Sequence, residues 1–247
     1  MPFVITARQS GSGASTGSPF TTSSATPTAN SLLLLGDGAQ NDSNTATQSH
    51  ATPTGGGWTY TQIGSSPTQV NWASENIYAT TGALWQAAIG SSPSDHTITL
   101  DALPDTNNAI YRPIACDITG HNPAAPIKQY AQSAVDTNPS GGGGVNAGGS
   151  ITLSAAPSAG NLIIVYFFVC DDGGGPMVAP TMGVGKTFTL INQYISSSCQ
   201  ASLWYRITDG SESTTITSSS LGTIVGNYYV GAVEVAALPA ATAWLTA

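Results

Sequence analysis

Pro27-Thr28-Ala29-Asn30-Ser31-Leu32-Leu33-Leu34-Leu35 recurs without a gap as Pro157-Ser158-Ala159-Gly160-Asn161-Leu162-Ile163-Ile164-Val165. Each copy reads as a proline-containing turn that feeds a short, continuously apolar run, the pattern of a buried strand. Working outward, four further matches follow in the same order. Gly57-Trp58-Thr59-Tyr60-Thr61 lies over Thr187-Phe188-Thr189-Leu190-Ile191, and Ala83-Leu84-Trp85 over Ser202-Leu203-Trp204. Thr97-Ile98-Thr99 then lies over Thr215-Ile216-Thr217, and Ala115-Cys116-Asp117-Ile118 over Ala232-Val233-Glu234-Val235. Five ordered matches predict an internal duplication. The boundary falls in His121-Asn122-Pro123-Ala124-Ala125-Pro126, whose prolines suit a short, stiff connector. The expected units are 1–122 and 123–247.

In each unit, apolar runs alternate with Gly, Pro, Asn and Ser clusters, and no segment sustains a 3.6-residue apolar period with helix caps. Thr, Val, Ile and aromatic residues dominate the runs, as pleated surfaces prefer. The fold class expected is all-β, as two tandem antiparallel β-sandwich domains of jelly-roll or Ig-like type, because each unit has sandwich size. Two small cores are expected from 247 residues.

Charged residues make up only 7% of the chain, against about 25% in an average domain. Hydroxyls and amides therefore wet the surface. With Lys+Arg 5 against Asp+Glu 13 and a net charge of -8, the chain is a poor binder of phosphate backbones, so no nucleic-acid partner is expected. Leu162–Cys170 is the longest strongly apolar stretch and is too short to cross a bilayer, so no membrane partner is expected. The N-terminus lacks the basic and apolar regions of a signal peptide. Cys116, Cys170 and Cys199 show no C-x-x-C spacing; small buried thiols are favoured, with a Cys170–Cys199 bridge left open.

Motifs that carry chemistry are weak. Gly183-Val184-Gly185-Lys186-Thr187 lacks the first glycine of a P-loop, which falls at Pro180, and leads into a strand. Asp37, Asn41 and Asp42, and in the second unit Asp171 and Asp172, follow the matched apolar strand; they read as turn residues rather than Ca²⁺ ligands. His50, His96 and His121 read as exposed loop histidines. No nucleophile elbow and no diagnostic carboxylate pair is present, so no catalytic residue, metal or cofactor is expected and the chain reads as a non-enzyme. Asp117 and Glu234 occupy one position in the two copies, an acidic site on the last strand. Trp85 and Trp204 share the Leu-Trp step and read as core. Trp72 and Trp244 have no counterpart and are the candidate interface anchors.

The shared pattern is Pro-x-Ala-x-x-Leu, an aromatic residue before Thr, Leu-Trp, and Thr-Ile-Thr. It is clearest in Ala156–Val165 and in Leu203-Trp204-Tyr205-Arg206-Ile207-Thr208-Asp209-Gly210-Ser211-Glu212. This pattern resembles a β-sandwich domain family of bacteriophage virion proteins, capsid-decorating or tail-associated. The first unit departs from it at Gln86-Ala87-Ala88, where Tyr205-Arg206-Ile207 stands in the second, and lacks the Asp-Gly turn. The resemblance implies a scaffold and no activity. A low-charge, acidic sandwich without a basic arm suits the outer capsid surface, so a decoration or cement protein that stabilises the shell is expected. It would be made in the host cytoplasm without a signal peptide, and its partners would be the major capsid protein and neighbouring copies, as a homotrimer. The alternative is a tail-fibre or receptor-binding module recognising host surface glycans, with Trp72 or Trp244 as stacking residues.

Overall fold

A computed structural model describes residues 2–10, 13–15, 19–41, 50–71, 79–101, 109–136, 150–170, 177–195, 199–218 and 227–239. The apolar runs form the long strands, and the Gly, Pro and Asn clusters fall between them. The first half holds β1 (Val4–Ser10), β2 (Gly13–Ser15), β3 (Phe20–Thr21), β4 (Leu32–Asn41), β5 (Thr61–Asn71), β6 (Ala79–Ala88), β7 (Thr99–Leu100), β8 (Ala109–Tyr111) and β9 (Ile114–Thr119). The second half holds β10 (Ile127–Asp136), β11 (Ser150–Thr152), β12 (Leu162–Cys170), β13 (Thr189–Ile195), β14 (Cys199–Ile207), β15 (Thr215–Thr217) and β16 (Asn227–Val235). No helix occurs among the described residues, and every strand pair is antiparallel. The protein is all-β, built as two β-sandwich domains.

The halves share one strand order. The first main sheet runs β1-β9-β4-β6-β5, with β2 and β8 attached, and the second runs β10-β16-β12-β14-β13. The registers repeat as well: Leu33 faces Asp117 as Ile163 faces Glu234, and Leu35 faces Trp85 as Val165 faces Trp204. One alignment needs correction. Thr61 faces Gln86 where Thr189 faces Tyr205, so Tyr60, not Trp58, is the counterpart of Phe188. Both are buried. Alternating Thr and aromatic residues fit either register, and only the ladder chooses between them.

Each main sheet carries a smaller second layer on its outer face, β3 with β7 in one half and β11 with β15 in the other. Beneath these layers lie two separate cores, one around Leu33, Leu35, Trp85 and Ile98, the other around Ile163, Val165, Trp204 and Ile216. A third and larger core, beyond the two expected, lies between the inner faces of the main sheets. There Leu32, Leu34 and Leu84 of the first half meet Leu162, Ile164 and Leu203 of the second. Alternation along β4 and β12 sends successive residues to opposite faces, so these continuous apolar runs supply an outer and an inner core at once.

Aromatic rings of the second half occupy space that glycines of the first half leave open. A Cβ on Gly36 would stand 2.3 Å from the Tyr166 ring, on Gly38 2.3 Å from Phe168, and on Gly82 2.4 Å from Tyr229. Burying each such ring contributes roughly 1.5–3 kcal/mol. The tyrosine hydroxyls are satisfied within the interface: Tyr166 donates to the Arg112 carbonyl at 2.7 Å and Tyr229 to Gln132 Oε1 at 3.1 Å. Across it β4 meets β12, β5 meets β10 while β13 meets β1, and β6 meets β16 while β14 meets β9. Exchanging the halves reproduces each contact, so they are related by an approximate two-fold axis through β4 and β12.

Candidate functional site

The acidic position shared by both halves is structural in both. Asp117 accepts the Thr28 backbone N–H at 2.5 Å and pairs with Arg8. Glu234 accepts from Ser158 N at 3.0 Å, Asn161 Nδ2 at 2.6 Å and Gln129 Nε2 at 2.5 Å. Thr28 and Ser158 are counterparts in the proline turn, so one carboxylate per half ties that turn to the last strand. The Asp209-Gly210 turn of the second half is closed similarly. Burial pushes the Glu212 carboxyl up, but N–H donors from Asp209 and Gly210 and the Arg206 guanidinium outweigh it and leave the group below its usual range.

The histidines are not exposed; all three are buried. His96 meets the Trp58 ring edge-on, centroids 4.1 Å apart. His121 donates Nδ1–H to the Ile118 carbonyl at 3.0 Å and lines a surface hollow together with Asn30, Thr119, Pro123 and Leu238. Burial holds both imidazoles below their ordinary range, partly offset by backbone hydrogen bonds.

His50 has the most chemically suggestive setting. Asp37 was expected in a loop; it lies inside β4, on the outer face, with its side chain 2% exposed. The His50 Nδ1 stands 2.6 Å from Asp37 Oδ2, and its Nε2 stands 3.3 Å from Thr81 Oγ1 on β6. A carboxylate, an imidazole and a hydroxyl are thus joined in the order that orients a base toward an alcohol. The second Asp37 oxygen, also buried, has no hydrogen-bond partner among the described residues. The sequence hid this trio because its members lie on different elements and no local motif links them.

The second half fills the same place differently. Phe167 is the counterpart of Asp37. Met177 precedes Thr181 by the interval at which His50 precedes Thr54, and each of these threonines bridges to the last residue of its Thr-Ile-Thr segment. Phe167 and Met177 belong to the apolar outer core. The fold is therefore satisfied at this place without a titratable group.

Other expectations resolve less eventfully. Lys186 sits on a turn and pairs with Asp209. Trp85 and Trp204 are buried in the outer cores. Cys116 is a free, buried thiol, but Cys199 is disulfide-bonded, which corrects the expectation of thiols; Cys170 stands directly opposite it in the β12–β14 register. Cross-strand proximity, invisible in residue spacing, decides this. Trp72 and Trp244, and likewise Asp42, Asp171 and Asp172, lie outside the described residues. Among the described residues no group of three or more His, Cys, Asp or Glu is placed to hold a metal ion, and no helix is long and apolar enough to cross a membrane. No family model, no curated protein and no solved structure matches this chain.

Proposed function

We propose that the chain is a structural contact protein of a bacteriophage particle, a decoration or cement protein seated on the outer capsid surface. The observation that carries this reading is the fate of the five Lys and Arg residues. Arg8 pairs with Asp117, Lys186 with Asp209 and Arg206 with Glu212. Lys128 donates to Ser158, and Arg112 is buried with its guanidinium 4.8 Å from the Tyr194 ring centroid. Three of the five cations are thus paired with carboxylates and Arg112 is buried, which leaves Lys128 exposed on a serine hydroxyl in an exterior dominated by hydroxyls, amides and acid. Such a surface repels packaged nucleic acid and suits neutral, shape-driven contact with protein neighbours.

Two sandwiches joined over a shared apolar core suit a clamp across neighbouring capsomers. The phage assignment itself rests on the resemblance of the Pro-x-Ala-x-x-Leu and Leu-Trp segments. The partners proposed are the major capsid protein and further copies of this chain as a trimer. Copy number per purified particle tests the proposal. A number matching the capsomers or their three-fold sites, together with shells that rupture at lower temperature when the protein is missing, is the expected result. A few copies per particle, with binding on a glycan array, would replace it with the tail-fibre reading.

A further inference from the structure

We infer that the hollow beside His121 is a subsite for one uncharged sugar unit, held through its hydroxyls by Asn30, Thr119 and His121. The hollow measures about 450 Å³, within the roughly 300–1,000 Å³ of small-ligand pockets. Ala29, Pro123 and Leu238 give it apolar walls, and the described residues that line it bring no charged side chain. Three polar groups border it unused. The Asn30 amide and the Thr119 hydroxyl make no hydrogen bond among the described residues. The His121 ring is 8% exposed, and its Nδ1–H is taken by the Ile118 carbonyl, so Nε2 keeps the lone pair and can only accept. Burial, partly offset by that hydrogen bond, holds the imidazole below its ordinary range and therefore neutral at neutral pH. Nε2 has no partner among the described residues and, unlike both nitrogens of His96, is not sealed in the interior; it opens on the hollow.

Folding does not ask for these groups. In the second half Asn30, Thr119 and His121 correspond to Gly160, Ala236 and Leu238. The backbone supports the match: the Ile89 N–H donates to the Ser31 carbonyl at 2.9 Å as the Thr208 N–H donates to that of Asn161 at 2.8 Å. Asn30 has φ 55° and Gly160 φ 81°, the left-handed region that favours glycine. Among the described residues Asn30 is the only non-glycine there, so the first half keeps a side chain where the backbone would be easier with none. A charged ligand finds no counter-charge in the hollow, and a wholly apolar one would strand three polar groups away from water. A pyranose ring meets both demands. Its C–H face packs on Pro123 and Leu238, one hydroxyl donates to His121 Nε2, and others pair with an amide and a hydroxyl that each give and accept. The subsite is independent of whether the chain sits on a shell or a tail. Copy number tests that placement and sugar titration tests this site, so either can fail alone.

The test is titration of the full chain with the methyl glycosides of glucose, galactose and mannose, read by the nitrogen resonances of its three imidazoles. At least one glycoside should bind with a millimolar dissociation constant and move the His121 Nε2 resonance while those of His50 and His96 stay. Glucuronate and glucosamine, one acidic and one basic, should bind more weakly. Asn30→Gly, Thr119→Ala and His121→Leu each install the residue that the sister half already carries, so they should fold, and each should weaken binding roughly three- to tenfold, the loss of one hydrogen bond. A purified surface polysaccharide in place of the glycoside distinguishes the source: tighter binding marks a sugar carried on a glycan chain, equal or weaker binding a free sugar, and both uphold the subsite. A His121 resonance that no glycoside moves overturns the inference, as does binding that survives all three substitutions together. Should a variant fail to fold, the wild-type resonance decides alone.

Discussion

Glu234 shows what single side chains do here. Its buried carboxylate collects three donors, two from the proline turn before β12 and one from Gln129 on β10, so Glu234→Ala strands them and lowers stability by about 2–4 kcal/mol; a urea titration with unchanged slope checks this. Cys116 is fully buried, and burial, reinforced by Asp117, pushes its thiol well above the ordinary range. A maleimide labels it only on unfolding; labelling of the native chain would contradict its burial. The imidazoles of His96 and His121 are held below 6.5 by burial. Above that value both rings are neutral in either state. Below it the unfolded chain takes up protons that the folded chain refuses, so stability falls as pH drops. Urea midpoints measured between about pH 7.5 and about pH 5.5 should decrease, and His96→Gln should flatten part of the slope. The acidic pairing of Asp117 with Glu234 was legible in sequence because each copy is a control for the other. The burial of His50, His96 and His121 was not, because polar neighbours in sequence say nothing about what closes over them in space.

Strands and their equivalence between the halves were the most readable level. Leu32–Leu35 and Leu162–Val165 announce themselves by apolar continuity, and the repeat supplies their equivalence. The inner interface was unreadable for a definite reason: Gly36, Gly38 and Gly82 look like turn formers, and only the rings of Tyr166, Phe168 and Tyr229, far along the chain, show them to be sockets. Gly82→Ala should cost about 1–3 kcal/mol through overpacking, although its backbone accepts any residue. In a double-mutant cycle Tyr229→Ala should relieve that clash, giving a combined loss smaller than the sum. Strict additivity would mean that the two positions do not touch.

At the scale of the molecule, the shared inner core couples the halves. Neither sheet can leave without exposing the largest apolar cluster, so calorimetry should give one transition with equal calorimetric and van't Hoff enthalpies; two resolved transitions would mean that the outer cores suffice separately. The scarcity of Lys and Arg has a practical corollary for anyone who tries to count this protein. Trypsin finds no ready site between Arg8 and Lys128, because Arg112 is followed by Pro113, and amine-directed dyes and crosslinkers have only Lys128, Lys186 and the terminus to attack. Peptide surveys built on tryptic cleavage will therefore under-report the chain, and its true abundance on any assembly will emerge only from proteases that cut at aromatic or acidic residues.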